Sequence, residues 1–240
     1  MPKLILALFI GLGAACSLAC SAAEITVLSA AAVQVPVEEV AAQFKQSTGH
    51  SVKFVFSTGG GVDAKVKAGE KFDIVINDQK RLAKPSHALG TVQIGVAIRM
   101  GGTRPDLSSA EAFKTSLQAA QSVAYGDPAR GATTGIHFAK VLEQLGLVEA
   151  VKRKQLLAAN GLEVMRLVAS GQAEIGITQV SEILHIKGDS LVGPLPASLQ
   201  LQTTYAAGLY GDAISDVAKQ FIHSLTSPTG RQAFAHAGFQ

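Results

Sequence analysis

Three times in this chain a short apolar or β-branched run stops in a cluster of small, hydroxylated residues and gives way at once to helical spacing. Glu24-Ile25-Thr26-Val27-Leu28 leads into Ser29-Ala30-Ala31-Ala32, Ser51 to Phe56 into Ser57-Thr58-Gly59-Gly60-Gly61, and Gln121 to Tyr125 into Gly126-Asp127-Pro128-Ala129-Arg130-Gly131-Ala132-Thr133-Thr134. Alternating Val52, Phe54 and Phe56 read as a strand, and Val37, Val40, Ala41 and Phe44 as one face of a helix from Val35 to Thr48. A further run, Phe72-Asp73-Ile74-Val75-Ile76-Asn77, is apolar on both faces, as strands are when helices cover a parallel sheet on either side. The chain is therefore α/β, with its small-residue loops at strand carboxyl ends, the edge where open α/β sheets bind ligands.

The remainder continues in kind. Strands are expected at Val92 to Met100, Ala173 to Gln179, Leu191 to Leu195 and Thr203 to Leu209. Helices are expected at Val62 to Ala68, after the cap Ser108-Ser109, from Ile136 to Leu145, at Val151 to Ala159, at Leu162 to Ser170 and at Ala213 to Leu225. Extended crossings near Ala97 to Arg99 and near Ala197 to Tyr205 divide the chain into two lobes. Residues 24–98 with 203–240 form the first and residues 99–202 the second.

Residues 1–23 read as an export leader: Lys3 gives a positive start, Leu4 to Leu12 an apolar core and Ser21-Ala22-Ala23 a small-residue cleavage site. Leu18-Ala19-Cys20 resembles a lipoprotein processing site that would leave a lipid on Cys20, but cleavage after Ala23 is the favoured reading. Both cysteines, Cys16 and Cys20, lie in the leader, so residues 24–240 have no disulfide, thiolate nucleophile or cysteine metal ligand. A net charge of only +3, no run of Lys or Arg, and 5% aromatics argue against a nucleic-acid surface.

The Gly-rich bends suit an anion. A helix start presents unpaired backbone N–H groups and the positive end of the dipole, and a loop with little side chain lets an anion reach them. Three successive glycines, Gly59, Gly60 and Gly61, imply that the backbone comes close to something there. Thr133 and Thr134 add hydroxyls, although an ordinary helix cap would have the same composition. Arg130, Arg99 and Arg166 are the candidate cations, because a guanidinium matches a carboxylate with two parallel hydrogen bonds. No Gly-Lys-Ser/Thr phosphate loop, Gly-x-Ser-x-Gly elbow or metal-spaced His pair is present, and nothing in the sequence calls for a metal or cofactor.

The order of these segments, with Gly135-Ile136-His137-Phe138-Ala139-Lys140, Gly171-Gln172-Ala173-Glu174-Ile175-Gly176-Ile177 and the closing Ser227-Pro228-Thr229-Gly230 and Gly238-Phe239, resembles the periplasmic molybdate-binding protein family. The resemblance implies a two-lobed type II periplasmic binding fold, each lobe a β-sheet flanked by helices, closing on an anion and delivering it as a monomer to an ABC transporter permease. It places the family's hydroxyl ligands at Ala32 and Gly61, a backbone contact at Thr134, a helix-start contact near Val164 and a tyrosine at Gln179. Here those three side-chain donors are replaced by alanine, glycine and an amide, with Ser29, Ser57 and Thr58 close by as substitutes. Because a buried oxyanion must have its oxygens satisfied by donors, the losses argue for a larger anion, a carboxylate, over molybdate. A related branch of the fold isomerises aconitate. On that alternative His137 is the first candidate base, with Glu182 and Asp127 behind it.

Overall fold

The computed structural model describes residues 22–83, 85–186, 190–211 and 214–240. The leader readings at Lys3, Cys16 and Cys20, and the expected helix start at Ala213, lie outside the described residues.

In the first lobe β1 (Glu24–Ala30) pairs in parallel with both β2 (Ser51–Ser57) and β3 (Ile74–Asp78). The crossovers are α1 (Gln34–Thr48), which ends at Gly49 in the left-handed region, and α2 (Gly59–Lys67). All three glycines of the bend fall inside the first turn of α2 instead of preceding it, because Thr58 caps the helix by accepting from the Gly61 N–H. In the second lobe β5 (Val123–Gly126) lies in parallel between β6 (Gln155–Ala158) and β7 (Ile175–Gln179). The helices there are α3 (Ala110–Ala119), α4 (Thr133–Leu145), α5 (Val148–Lys152), α6 (Gly161–Ala169) and α7 (Val180–Leu184).

The long strand β4 (Ser86–Ile98) joins the two halves. It pairs antiparallel with β9 (Gln202–Leu209) from Ser86 to Gln93, then with β7 from Ile94 to Ile98, and carries the short β8 (Leu191–Pro194). The strand order is β2-β1-β3-β9-β4-β7-β5-β6. The chain ends in α8 (Asp216–Thr226) and α9 (Pro228–His236), which return to the first lobe.

Each lobe has its own core. Val37, Val40 and Phe44 of α1 pack with Phe221, Phe234 and the β1 and β3 side chains, while Phe113, Leu117, Phe138 and Leu142 pack over Val123, Ile175 and Ile177. The opposite sheet faces are covered by α2, through Val62 on Leu28 and Val75, and by α6, through Val164 and Val168 on Ala124. Strands covered on both faces in this way account for the unbroken apolar runs.

One expected element needs correction, and one element was not expected. Val151 to Ala159 is not one helix: α5 ends at Lys152 and Gln155–Ala158 forms β6. Gln-Leu-Leu-Ala has ordinary helix propensity, but parallel pairing with β5 overrides it. Helix α7 directly follows β7 with no turn residue to announce it. Its start is a capping box between Gln179 and Glu182, in which the Glu182 carboxylate accepts from the Gln179 N–H.

Candidate functional site

The carboxyl ends of β1, β2, β5, β6 and β7 all face one cleft between the lobes. The first lobe contributes Ala30, Ala31 and Ala32 after β1 and Ser57, Thr58 and Gly59 where β2 turns into α2. The second contributes Ala132, Thr133 and Thr134 at the start of α4, Asn160 and Gly161 at the start of α6, and Gln179 and Glu182 at the end of β7. Tyr205 of β9 closes the back. The N-termini of α2, α4 and α6 therefore open on the same space, with their positive dipole ends converging.

The lobes sit closed on one another. Thr58 Oγ1 donates to the carbonyl of Arg130 (2.5 Å) and the Gly60 N–H to the carbonyl of Gly131 (3.0 Å). Gly131 has φ +72, and a Cβ there would lie 2.7 Å from the Gly60 Cα. Deeper in, Ser181 Oγ donates to the carbonyl of Ala32 (2.7 Å). The enclosed free volume is about 30 Å³, room for little more than a water.

The expected site residues divide into two groups. Ala32, Ser57, Thr58, Gly59, Thr133, Thr134 and Gln179 line the cleft, and Gly60 forms its lip. Gly61 sits in the first turn of α2, and a Cβ there would collide with Ser57 Oγ, so the Ser57 hydroxyl fills the space a side chain at 61 would take. Ser29 is fully buried in β1 and its hydroxyl donates to the carbonyl of Ala30 (3.1 Å). Val164 belongs to the core under α6, whose first turn reaches the cleft through Asn160 and Gly161 instead.

The cations do not converge. Arg166 pairs with Glu163 on the outer face of α6, and Arg99 lies in a separate groove with Ile98, Met100 and Met165. Arg130 is exposed, and its main-chain carbonyl is what takes part in closure. His137 points away from the cleft, its Nε2 donating to the Leu199 carbonyl (2.8 Å). Asp127 caps the turn before α4 by accepting from the Ala129 N–H (2.9 Å).

Glu182 is the acidic side chain that lines the cleft among the described residues. It is 5% exposed, and its Oε2 accepts from Thr178 Oγ1 (2.5 Å) and the Gln179 N–H (3.3 Å) against the start of α6 at Gly161. Burial raises its pKa above the usual glutamate value, and these hydrogen bonds offset that only in part. Beside it, Gln179 Nε2 faces Tyr205 Oη (3.5 Å), and burial likewise raises the Tyr205 pKa. Gln179, 1% exposed, faces Glu182 across the capping box at the start of α7.

Sequence reading passed over Asn160, Gly161 and Tyr205. Asn160 stands three residues before Glu163, whose N–H its side chain accepts (2.9 Å), and that spacing is the one signal that could have promoted a turn to a helix start. Tyr205 lies at a strand crossing and has no local signature.

A stability consequence follows from Glu182. At low pH the group is neutral and its burial is harmless; as pH rises through the raised pKa, the buried charge opposes folding. Glu182→Gln keeps an acceptor for Thr178 without the charge. Its melting temperature should match wild type near pH 4 and exceed it at pH 8, the gap opening as pH rises. Parallel melting curves across that range check this, and a constant gap would oppose it.

The model of the bacterial extracellular solute-binding protein family matches residues 25–240. This chain belongs to that family. Among its relatives, an aconitate isomerase from a Pseudomonas species is 28% identical over 235 residues, covering 90% of this chain and 87% of that protein. The molybdate-binding protein ModA of Azotobacter vinelandii is 28% identical over 193 residues, covering 76% and 74%. The solved Azotobacter vinelandii periplasmic molybdate-binding protein superposes with a TM-score of 0.74 at 19% identity, over 90% of this chain and 98% of that one. The two-lobed type II fold of the periplasmic binding proteins is thus the architecture of this solute-binding protein. Among the described residues no helix is long and apolar enough to cross a membrane, and no group of three or more His, Cys, Asp or Glu is placed to hold a metal ion.

Proposed function

We propose that this solute-binding protein takes up a small anion, a carboxylate in preference to molybdate, in the cleft between its lobes, and presents it as a periplasmic monomer to an ABC transporter permease. The observation that carries the reading is the convergence of the α2, α4 and α6 starts on one cleft with the hydroxyls of Ser57, Thr58, Thr133 and Thr134. Ala32 and Gly61 offer no side-chain donor, which supports a ligand that demands fewer donors than a bare tetrahedral oxyanion. The moving bodies are proposed as residues 24–93 with 202–240 and residues 94–201. The partner change of β4 between Gln93 and Ile94 supports a crossing slightly earlier than the one read from sequence. Exposed Arg130 at the lip is suited to attract anions electrostatically.

Thermal shift of the purified protein against molybdate, sulfate, phosphate, succinate, malate and citrate tests the reading. At a hundredfold excess over Kd the matching anion should add about 2.7 kcal/mol of stability, roughly 5–10 °C for a chain this size. No shift with any of them would reject it.

The buried Glu182 carboxyl favours a second reading, aconitate isomerisation, which needs a base beside the allylic carbon of a clamped tricarboxylate. Glu182, not His137, is the base on this reading, since the His137 ring is committed to Leu199. Incubation with cis-aconitate and analysis of the product separates the two: turnover lost in Glu182→Gln and retained in His137→Ala supports catalysis.

A further inference from the structure

Oxyanion sites offer donors, yet the inner wall of this cleft carries a carboxyl group. Glu182 lines the cleft at 5% exposure, held by Thr178 Oγ1 and the Gln179 N–H on Oε2 and by the Gly161 backbone. A fully deprotonated anion presents only lone pairs to such a wall, and an ionised glutamate facing it would be repelled. We propose that the bound anion and Glu182 share one proton: an anion carrying its own O–H donates it to the Glu182 carboxylate, and an anion without one binds only when Glu182 is protonated and donates to it. The inference rests on the anion-binding reading of the same cleft and adds the property by which that cleft selects its ligand.

The surroundings leave Glu182 as the titrating group. From β9 it faces Tyr205, whose phenol burial keeps neutral. From β7 it meets Thr178 and Gln179, and from α6 the Gly161 backbone, with Glu163 and Arg166 paired to each other on the solvent side. On the segment after β1, Ala31 and Ala32 carry no charge; on α7 itself, His185 is exposed, and the β4 residues beyond Ile94 are apolar. Asp78 and Arg81 act on Tyr205 from farther off. The direction of the Glu182 shift fits a group that is readily protonated where the cleft needs a donor.

Isothermal titration at pH 6 to 9 with two matched pairs tests this: sulfate against phosphate, and succinate against malate. The first of each pair is deprotonated throughout from about pH 7 upward, where the comparison is read, and the second keeps an O–H; the pairs distinguish an inorganic oxyanion from a hydroxy acid. Wild-type affinity for the member without O–H should fall about tenfold per pH unit once Glu182 ionises, with about one proton taken up per ligand bound. Affinity for the O–H member should change less than threefold beyond its own titration. In Glu182→Gln, which supplies an amide donor at every pH, the dependence for the first member should vanish. Proton uptake, measured on wild type by titrating in buffers of different ionisation enthalpy, keeps the test independent of how well the variant folds. Binding of an anion lacking O–H with no proton uptake and no pH dependence overturns the shared proton while leaving anion binding intact. Failure of all four anions to bind overturns the anion reading itself, and the inference with it.

Discussion

Gly60→Val is expected to weaken ligand binding about a hundredfold while leaving each lobe folded. Closure brings the Gly60 and Gly131 backbones into contact across the lip. A Cβ on Gly60 would lie 2.8 Å from the Gly131 Cα, where backbone rather than a flexible side chain stands in the way. The two branches of valine enlarge the clash, and relief is available only by holding the lobes apart. The Gly60 N–H bond to Gly131 and the Thr58 bond to the Arg130 carbonyl would then be lost. An open state loses apparent affinity in proportion to the closed fraction, so a penalty of about 3 kcal/mol on closure corresponds to roughly that hundredfold. The measurement is paired: ligand-induced thermal shift, and small-angle scattering of the ligand-bound protein. A variant that still compacts on ligand with wild-type affinity would show that the lip is not the latch.

Gly135→Ala is expected to destabilise the whole fold. Gly135 lies in the first turn of α4, where that helix rests on the end of β5, and a methyl group there would occupy the position of the Gly126 carbonyl oxygen. Both partners are backbone, so neither rotates aside; the helix start has to lift away from the strand, carrying Thr133 and Thr134 with it. Overpacking of this kind costs about 3 kcal/mol, which for a chain of this size lowers the melting temperature by about 6–12 °C. Thermal denaturation without ligand reads it directly, and a loss under 2 °C would mean that α4 is free to move. The two substitutions differ in kind. One sits between lobes and acts on closure; the other sits within a lobe and acts on folding.

The α/β class, most strands and the bodies of most helices were legible because each is written in local periodicity: the β1 and β3 runs are largely apolar, and α1, α4 and α6 repeat at helical spacing. The two burial patterns come from helices covering both sheet faces, so the pattern and the layering have one cause. The small-residue bends at the cleft were legible from the sequence as well. Small residues at Gly59, Gly60, Thr133 and Thr134 mark close backbone approach whatever lies opposite them.

The sequence alone determined where the cleft's rim would be, since glycine and hydroxyl clusters at strand ends are a property of neighbouring residues. Which side chains meet inside it was decided only by the tertiary fold. Arg99, Arg130 and Arg166 read as ligands by charge, yet helix rotation and strand register turn them to solvent or to another groove. Glu182 and Tyr205 come from segments far apart in the chain and meet because β4 crosses from one sheet to the other, placing β7 and β9 along its length. Burial, which raises the Glu182 pKa, is likewise a sum over both lobes, and no window of sequence contains it.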